Sequence, residues 1–208
     1  MIKAIKKQEV KLYPLTIFIS VIVLCSCNRT QEIDTTEEKL FTLLSSSETN
    51  IDFINTIKDD TEKSIFLYAN FYGGAGVGIG DFNNDGLQDI FFAGNTVPDK
   101  LYLNKGNLAF EDYTESAGIL NSPGWSTGVT IADINNDSYV DIYVSRELYD
   151  ENADWRTNLL YMNNGDGTFE EKAKDYNIDN NQRTRHATFL DYNKDGLLDL
   201  FLLTQPPN

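Results

Sequence analysis

Histidine, tryptophan and cysteine are scarce in this chain of 208 residues, which carries one, two and two of them. No His-Glu-x-x-His, Gly-x-Ser-x-Gly or phosphate-loop motif occurs, so the chemistries those spacings assemble are not signalled. The lone histidine, His186, stands where a strand is expected to open and reads as a packed or hydrogen-bonded residue rather than a base. The glycine run Gly73 to Gly80 never meets the Gly-x-Gly-x-x-Gly spacing of a dinucleotide site. Basic residues are few as well, 17 against 32 acidic ones, for a net charge of −15. That balance excludes nucleic acid as a partner, because phosphate neutralisation needs clustered Lys and Arg. No catalytic residue is assigned, and an enzyme is not expected.

What is present begins with an export pattern. Lys3, Lys6, Lys7 and Lys11 precede an apolar run from Leu15 to Leu24, too short for the roughly 20 residues of a membrane span. A basic start, a short apolar core and a small residue before a cleavage point predict a secretory signal over residues 1–26. Leu24-Cys25-Ser26-Cys27 resembles a bacterial lipobox, with Ser26 in the small-residue slot and Cys27 as the lipidated residue. Cleavage there removes four lysines and one glutamate and takes the formal charge from −15 to −18. The remaining cysteine has no internal partner for a disulfide, so stability must come from packing or metal. The expected location is membrane-anchored through lipid, at the outer membrane or cell surface.

Residues 27–50 read as a polar leader. Leu40, Phe41, Leu43 and Leu44, at helical spacing after Glu37 and Glu38, predict one short helix there. Ile51-Asp52-Phe53 predicts an extended segment opening a repeat region over residues 51–208. Within it an Asp-x-Asn-x-Asp-x-x-x-Asp pattern recurs at 81–89, 133–141 and 191–199. Its first aspartates are 52 and 58 residues apart, a period that suits one propeller blade of four short strands. After the first two copies, Leu101-Tyr102-Leu103-Asn104 precedes Phe110, and Leu160-Tyr161-Met162-Asn163 precedes Phe169. Each is a strand, an Asn/Gly turn and a second strand, the signature of a hairpin. The predicted fold is therefore all-β: a partial β-propeller of about two and a half blades, each carrying a Ca²⁺ loop.

The acidic loops are the candidate site. Ca²⁺ takes six to eight oxygens, and alternate positions of a tight loop converge on one point. The expected ligands are Asp81, Asn83, Asp85, the carbonyl of Leu87, and Asp89. The second set is Asp133, Asn135, Asp137, the carbonyl of Tyr139, and Asp141. The third is Asp191, Asn193, Asp195, the carbonyl of Leu197, and Asp199. Like charges about 4 Å apart repel by roughly 1–4 kcal/mol, which a cation would relieve. An EF-hand is excluded, since it needs a Glu at position twelve and flanking helices, whereas Phe92, Val144 and Leu202 stand there in β-like runs. Turn preference alone accounts for Asp, Asn and Gly in loops, but not for an aspartate at position nine each time. Position six, Gly86 and Gly196 in two loops, is Ser138 in the second; positive φ is expected there and disfavours a side chain. The second site is thus expected to be the weakest.

These three loops flanked by β-runs resemble FG-GAP repeats, also called VCBS repeats, known from the integrin α-chain propeller. The runs Asn70 to Asp81 and Gly124 to Asp133 look like the bacterial branch related to cartilage acidic protein. The resemblance implies structural Ca²⁺ sites between the first two strands of each blade and a core position for Trp125. Trp155 is left as the better ligand-stacking candidate. It also implies longer relatives ending in an ASPIC/UnbV module. The chain is expected to be an N-terminal piece, its remaining blades in a longer chain or another subunit. The functional expectation is a recognition or adhesion module for a glycan or protein ligand. The alternatives are a propeller-based carbohydrate-active enzyme and a truncated structural fragment.

Overall fold

The computed structural model describes residues 40–61, 63–119, 124–147 and 153–205. The chain divides into two units, Met1–Leu43 and Leu44–Asn208. The expected signal sequence and Cys27 lie outside the described residues. Among those residues no helix is long and apolar enough to cross a membrane.

The helix expected at Leu40–Leu44 is displaced. Those residues are non-helical, and Leu40, Phe41 and Leu43 are exposed. Among the described residues of the leader, the α-helix is one turn, α1 (Ser46–Thr49). Its start is set by reciprocal contacts: the N–H and hydroxyl of Ser45 both donate to the Glu48 carboxylate at 2.8 Å, and the Glu48 N–H donates to the Ser45 carbonyl at 3.0 Å. Local capping chemistry outweighs apolar spacing where no packed face rewards the apolar stripe.

Beyond α1 the described residues form antiparallel sheets, with one 3-10 turn at Ala153–Arg156. One sheet holds β1 (Val77–Gly80), β2 (Asp89–Phe92), β3 (Lys100–Asn104) and β4 (Phe110–Asp112) in sequence order. A second repeats that order with β5 (Ser126–Ala132), β6 (Asp141–Arg146), β7 (Leu159–Asn163) and β8 (Phe169–Glu171). The third has two strands, β9 (Thr184–Leu190) and β10 (Asp199–Thr204). Each acidic stretch links the first strand of a sheet to the second, and the hairpins expected from the Asn/Gly turns are β3–β4 and β7–β8.

Strand alternation explains how the middle sheet is covered on both sides. Ile142 and Val144 of β6 join a core with Phe91 and Leu101 of the first sheet. Tyr143, between them, turns to the other face and packs with Leu160, Ala187, Leu200 and Leu202. The first strands of successive sheets come very close. A Cβ on Gly76 would lie 2.7 Å from the amide nitrogen of Val129, and one on Gly128 would lie 2.8 Å from the carbonyl oxygen of Arg185. That proximity accounts for part of the glycine run. The third repeat carries exposed His186 in the same register, five residues before its first loop aspartate.

The segment after α1, where an extended stretch was expected, joins no sheet. It docks on the first sheet through side chains: Phe53 stacks on Phe92 at 4.9 Å, and the Tyr102 hydroxyl donates to Asp52 at 2.6 Å. Trp125 is buried with Tyr68 and Phe71, in the core position expected for it. Trp155 is half-buried against that cluster, with the Lys63 ammonium 5.5 Å from its ring centre.

Candidate functional site: the acidic loops

The three loops have one hydrogen-bond pattern, written by residue type and position. The first aspartate accepts two backbone N–H groups, as in Asp81 from Asp85 (3.0 Å) and Gly86 (2.8 Å). Asp133 and Asp191 do the same with Asp137 and Ser138, and with Asp195 and Gly196. The position-three residues Asn83, Asn135 and Asn193 accept from the N–H of position five and donate their amide groups to its carboxylate. Asp85, Asp137 and Asp195 each accept the N–H of position seven, that of Leu87, Tyr139 or Leu197, at 2.8 Å. These are nested Asx turns, in which short side chains satisfy backbone groups that a tight bend leaves over.

The backbone bends at two positions. Position six has positive φ in all three loops, +86° at Gly86, +73° at Ser138 and +87° at Gly196. The expectation for Ser138 therefore holds: a side chain sits where glycine is easiest. Position four is left-handed too, with Asn84 and Asn136 at 56° and 59° and Lys194 at 64°. Asn tolerates this region and Lys does not share that ease.

Position nine separates the loops. Asp89 is fully buried and accepts the N–H of Phe82 (2.9 Å) and of Asn104 (2.8 Å). Asp141 is buried likewise and accepts from Ile134 (2.8 Å) and Asn163 (2.9 Å). Each thus ties its loop to the end of the third strand. Asp199 is exposed and, among the described residues, accepts the N–H of Tyr192 alone, at 3.0 Å. Burial raises the Asp89 carboxyl, and the nearby Asp85 and Asp81 charges raise it further against the two N–H donors. The same balance, with burial foremost, pushes Asp141 up to about 6. The exposed Asp195 is held below the usual carboxylate range, chiefly by the Leu197 N–H.

Whether these residues suit a cation turns on the oxygen donors. All the side chains proposed as ligands carry oxygen, as a hard ion requires. The carboxylate hydrogen bonds described leave further lone pairs on those oxygens. The Asp89 and Asp141 carboxyls feel the other two acids of their loops. Among the described residues, however, no three His, Cys, Asp or Glu side chains are gathered into a metal cluster. The carboxylates turn toward loop N–H groups instead. The donor chemistry fits Ca²⁺, and the aspartate at position nine has a second explanation, as a clamp between loop and third strand.

Two contributors were not foreseen. Asn104 and Asn163, taken as turn residues, also donate their side-chain amides to the carbonyls of Gln88 (2.9 Å) and Val140 (3.2 Å). Their recurrence as Tyr-x-Asn at 102–104 and 161–163 was the available signal. Neighbouring loops are also joined, since the Asn84 amide donates to the Ser138 carbonyl at 3.1 Å and the Asn163 amide to that of Phe82 at 2.8 Å. At the other end of the strands, fully buried Glu147 pairs with Arg183 (3.3 Å) and Arg185 (2.9 Å), joining the second and third sheets.

Comparison with known proteins agrees with this repeated plan. Residues 62–144 and 150–202 match the family model described as FG-GAP-like repeat. Cartilage acidic protein 1 of Homo sapiens is 29% identical over 133 residues, which is 62% of this chain and 20% of that protein. The Mus musculus protein of that name is 28% identical over the same length. The Xenopus tropicalis protein is 36% identical over 72 residues, 35% of this chain and 11% of its own. The matched stretch thus spans a fifth or less of these relatives. With those two ranges covering well over half of its residues, the chain belongs to the FG-GAP-like repeat family.

Proposed function

We propose that this chain is a Ca²⁺-binding recognition module, exported and held at a membrane surface by lipid on Cys27. Its sheets serve as blades of a partial β-propeller whose remaining blades lie in a longer chain or another subunit. The observation that supports this reading is the threefold return of one hydrogen-bonded acidic loop between the first and second strands of successive sheets. The residues that would hold the ion are Asp81, Asn83, Asp85 and Asp89 and their counterparts in the other two loops, with the carbonyls of Leu87, Tyr139 and Leu197. Bound Ca²⁺ would supply positive charge among carboxylates and stiffen the loops. Rigid loops on a repeat scaffold suit recognition of a glycan or protein ligand.

Calorimetric titration of the metal-free full chain with Ca²⁺ tests the cation. Saturable heat is expected, with melting raised by about 2.7 kcal/mol of stability per site at a hundredfold excess over Kd. No heat, together with a melting curve unmoved by EDTA, would remove the cation from the proposal. Binding to glycan arrays or cell surfaces that EDTA abolishes would support recognition, and turnover of a polysaccharide panel would replace it with catalysis.

A further inference from the structure

The strand ends opposite the acidic loops have a different make-up. Four of the five arginines stand there: Arg146 at the close of β6, Arg156 in the β6–β7 connection, and Arg183 and Arg185 at the opening of β9. Both tryptophans, Trp125 and Trp155, lie at the same end. Beside them is a turn of residues 63–68, in which the N–H groups of Leu67 and Tyr68 donate to the Ser64 carbonyl at 3.1 and 2.9 Å. The turn is held on both flanks. Lys63 stands over the Trp155 ring. Buried Tyr68 packs edge-on to Trp125 at 5.6 Å, with the Arg183 guanidinium 5.7 Å from its ring centre. Between these anchors the tip is Ile65-Phe66-Leu67, whose residues are 44%, 94% and 49% exposed.

Three adjacent large apolar residues in water mark a contact surface, and a tip fixed at both ends loses little chain entropy on burial. A ring as exposed as that of Phe66 projects outward rather than lining a groove. Around it stand half-buried Trp155, exposed Tyr72, and Lys63, Arg183 and Arg185 with charges on long apolar stems. Such side chains settle at the boundary between hydrocarbon and water. Asp59, which accepts the Tyr72 hydroxyl at 3.2 Å, and Asp60 lie on the same segment, so the apolar tip rather than net charge carries the contact. The nine loop aspartates stand at the other ends of the strands, where an anionic surface would repel them least. We propose that Ile65-Phe66-Leu67 is a membrane-contact turn that inserts at the headgroup boundary of a bilayer, rimmed by Trp155, Lys63, Arg183 and Arg185. This deepens the membrane reading above and rests on it only for bringing the chain to a bilayer. A lipid on Cys27 tethers without orienting; this contact points the acidic loops away from the membrane.

The test is flotation of the exported chain, residues 27–208 with Cys27→Ala so that no acyl group contributes. The vesicles are phosphatidylcholine with phosphatidylglycerol, in EDTA. Saturable binding is expected. Phe66→Ala weakens it roughly tenfold through loss of one inserted aromatic ring. Leu108→Ala, which trims an exposed apolar residue in the β3–β4 turn at the acidic-loop end, leaves it unchanged. Phe66→Trp adds an emission that shifts to the blue on vesicles and is quenched by brominated acyl chains. Circular dichroism confirms that these exposed substitutions fold. Absence of flotation, equal flotation of Phe66→Ala, or a Phe66→Trp emission unmoved by vesicles each overturns the proposal. So does self-association in solution that Phe66→Ala abolishes without changing flotation, which makes the tip a protein interface. Because neither an acyl group nor a divalent ion is present, failure here leaves the lipid-anchor and Ca²⁺ readings standing.

Discussion

The second and third acidic loops share a backbone design and differ in their surroundings. Both nest the same Asx turns around Asp133 and Asp191. The second loop leads into a sheet with a third strand and closes on it through Asp141 and Asn163. Among the described residues the third leads into a strand pair, β9–β10, and its position-nine aspartate is exposed. Loop shape is therefore a local property of about nine residues, whereas the electrostatics of its last carboxylate depend on a strand some twenty residues further along the chain. An aspartate becomes a clamp only where a second N–H closes over it.

The largest effect expected follows from that closure. Asp141→Ala should lower unfolding stability by about 3 kcal/mol, since it leaves two N–H groups without their acceptor in a buried site. Asp199→Ala should lower it by under about 0.5 kcal/mol, because water replaces the lost contact. Urea denaturation of both variants checks this, and equal losses would break the comparison.

A pH signature marks the buried aspartate. The folded-state pKa of Asp141, about 6, lies above its unfolded value near 3.8. Its contribution is therefore fully present below pH about 4 and is lost as pH rises through about 6. The chelated protein should melt higher at pH 5 than at pH 7, and Asp141→Asn should flatten that dependence. Asp99, buried between Gly94 and Ser126 and likewise raised to about 6 by burial, adds a change of the same sign in every variant.

Two smaller changes sharpen what is local. Ser138→Gly should stabilise by about 1 kcal/mol and Gly196→Ser destabilise by a similar amount, because both sites have positive φ. If Ser138→Gly leaves stability and Ca²⁺ response unmoved, backbone strain does not distinguish the second loop. Smallest, Lys194→Asn should add a few tenths of a kcal/mol by placing at position four the residue type that the other loops use there. Thermal melts of the exposed third loop resolve it with least interference from packing.

The repeat spacing made the loops and hairpins legible, because side-chain capping and strand alternation act within a few residues. Trp125 was legible as core through the family pattern. The leader helix was misplaced because apolar spacing promised a packed face, while the Ser45–Glu48 cap governed the turn that formed. The second role of Asn104 and Asn163 escaped notice because Asn before Gly explains itself as a turn. Nothing in one strand's sequence says that its terminal amide reaches a carbonyl 16 or 23 residues back.

By itself the sequence determined the acidic loops, their period and the strands on either side, since Asx turns, glycine freedom and two-residue alternation are short-range effects. Tertiary structure alone decided which aspartates are buried and which loops touch. Burial and strand pairing are relations between distant segments, and they exist only once the sheets have come together.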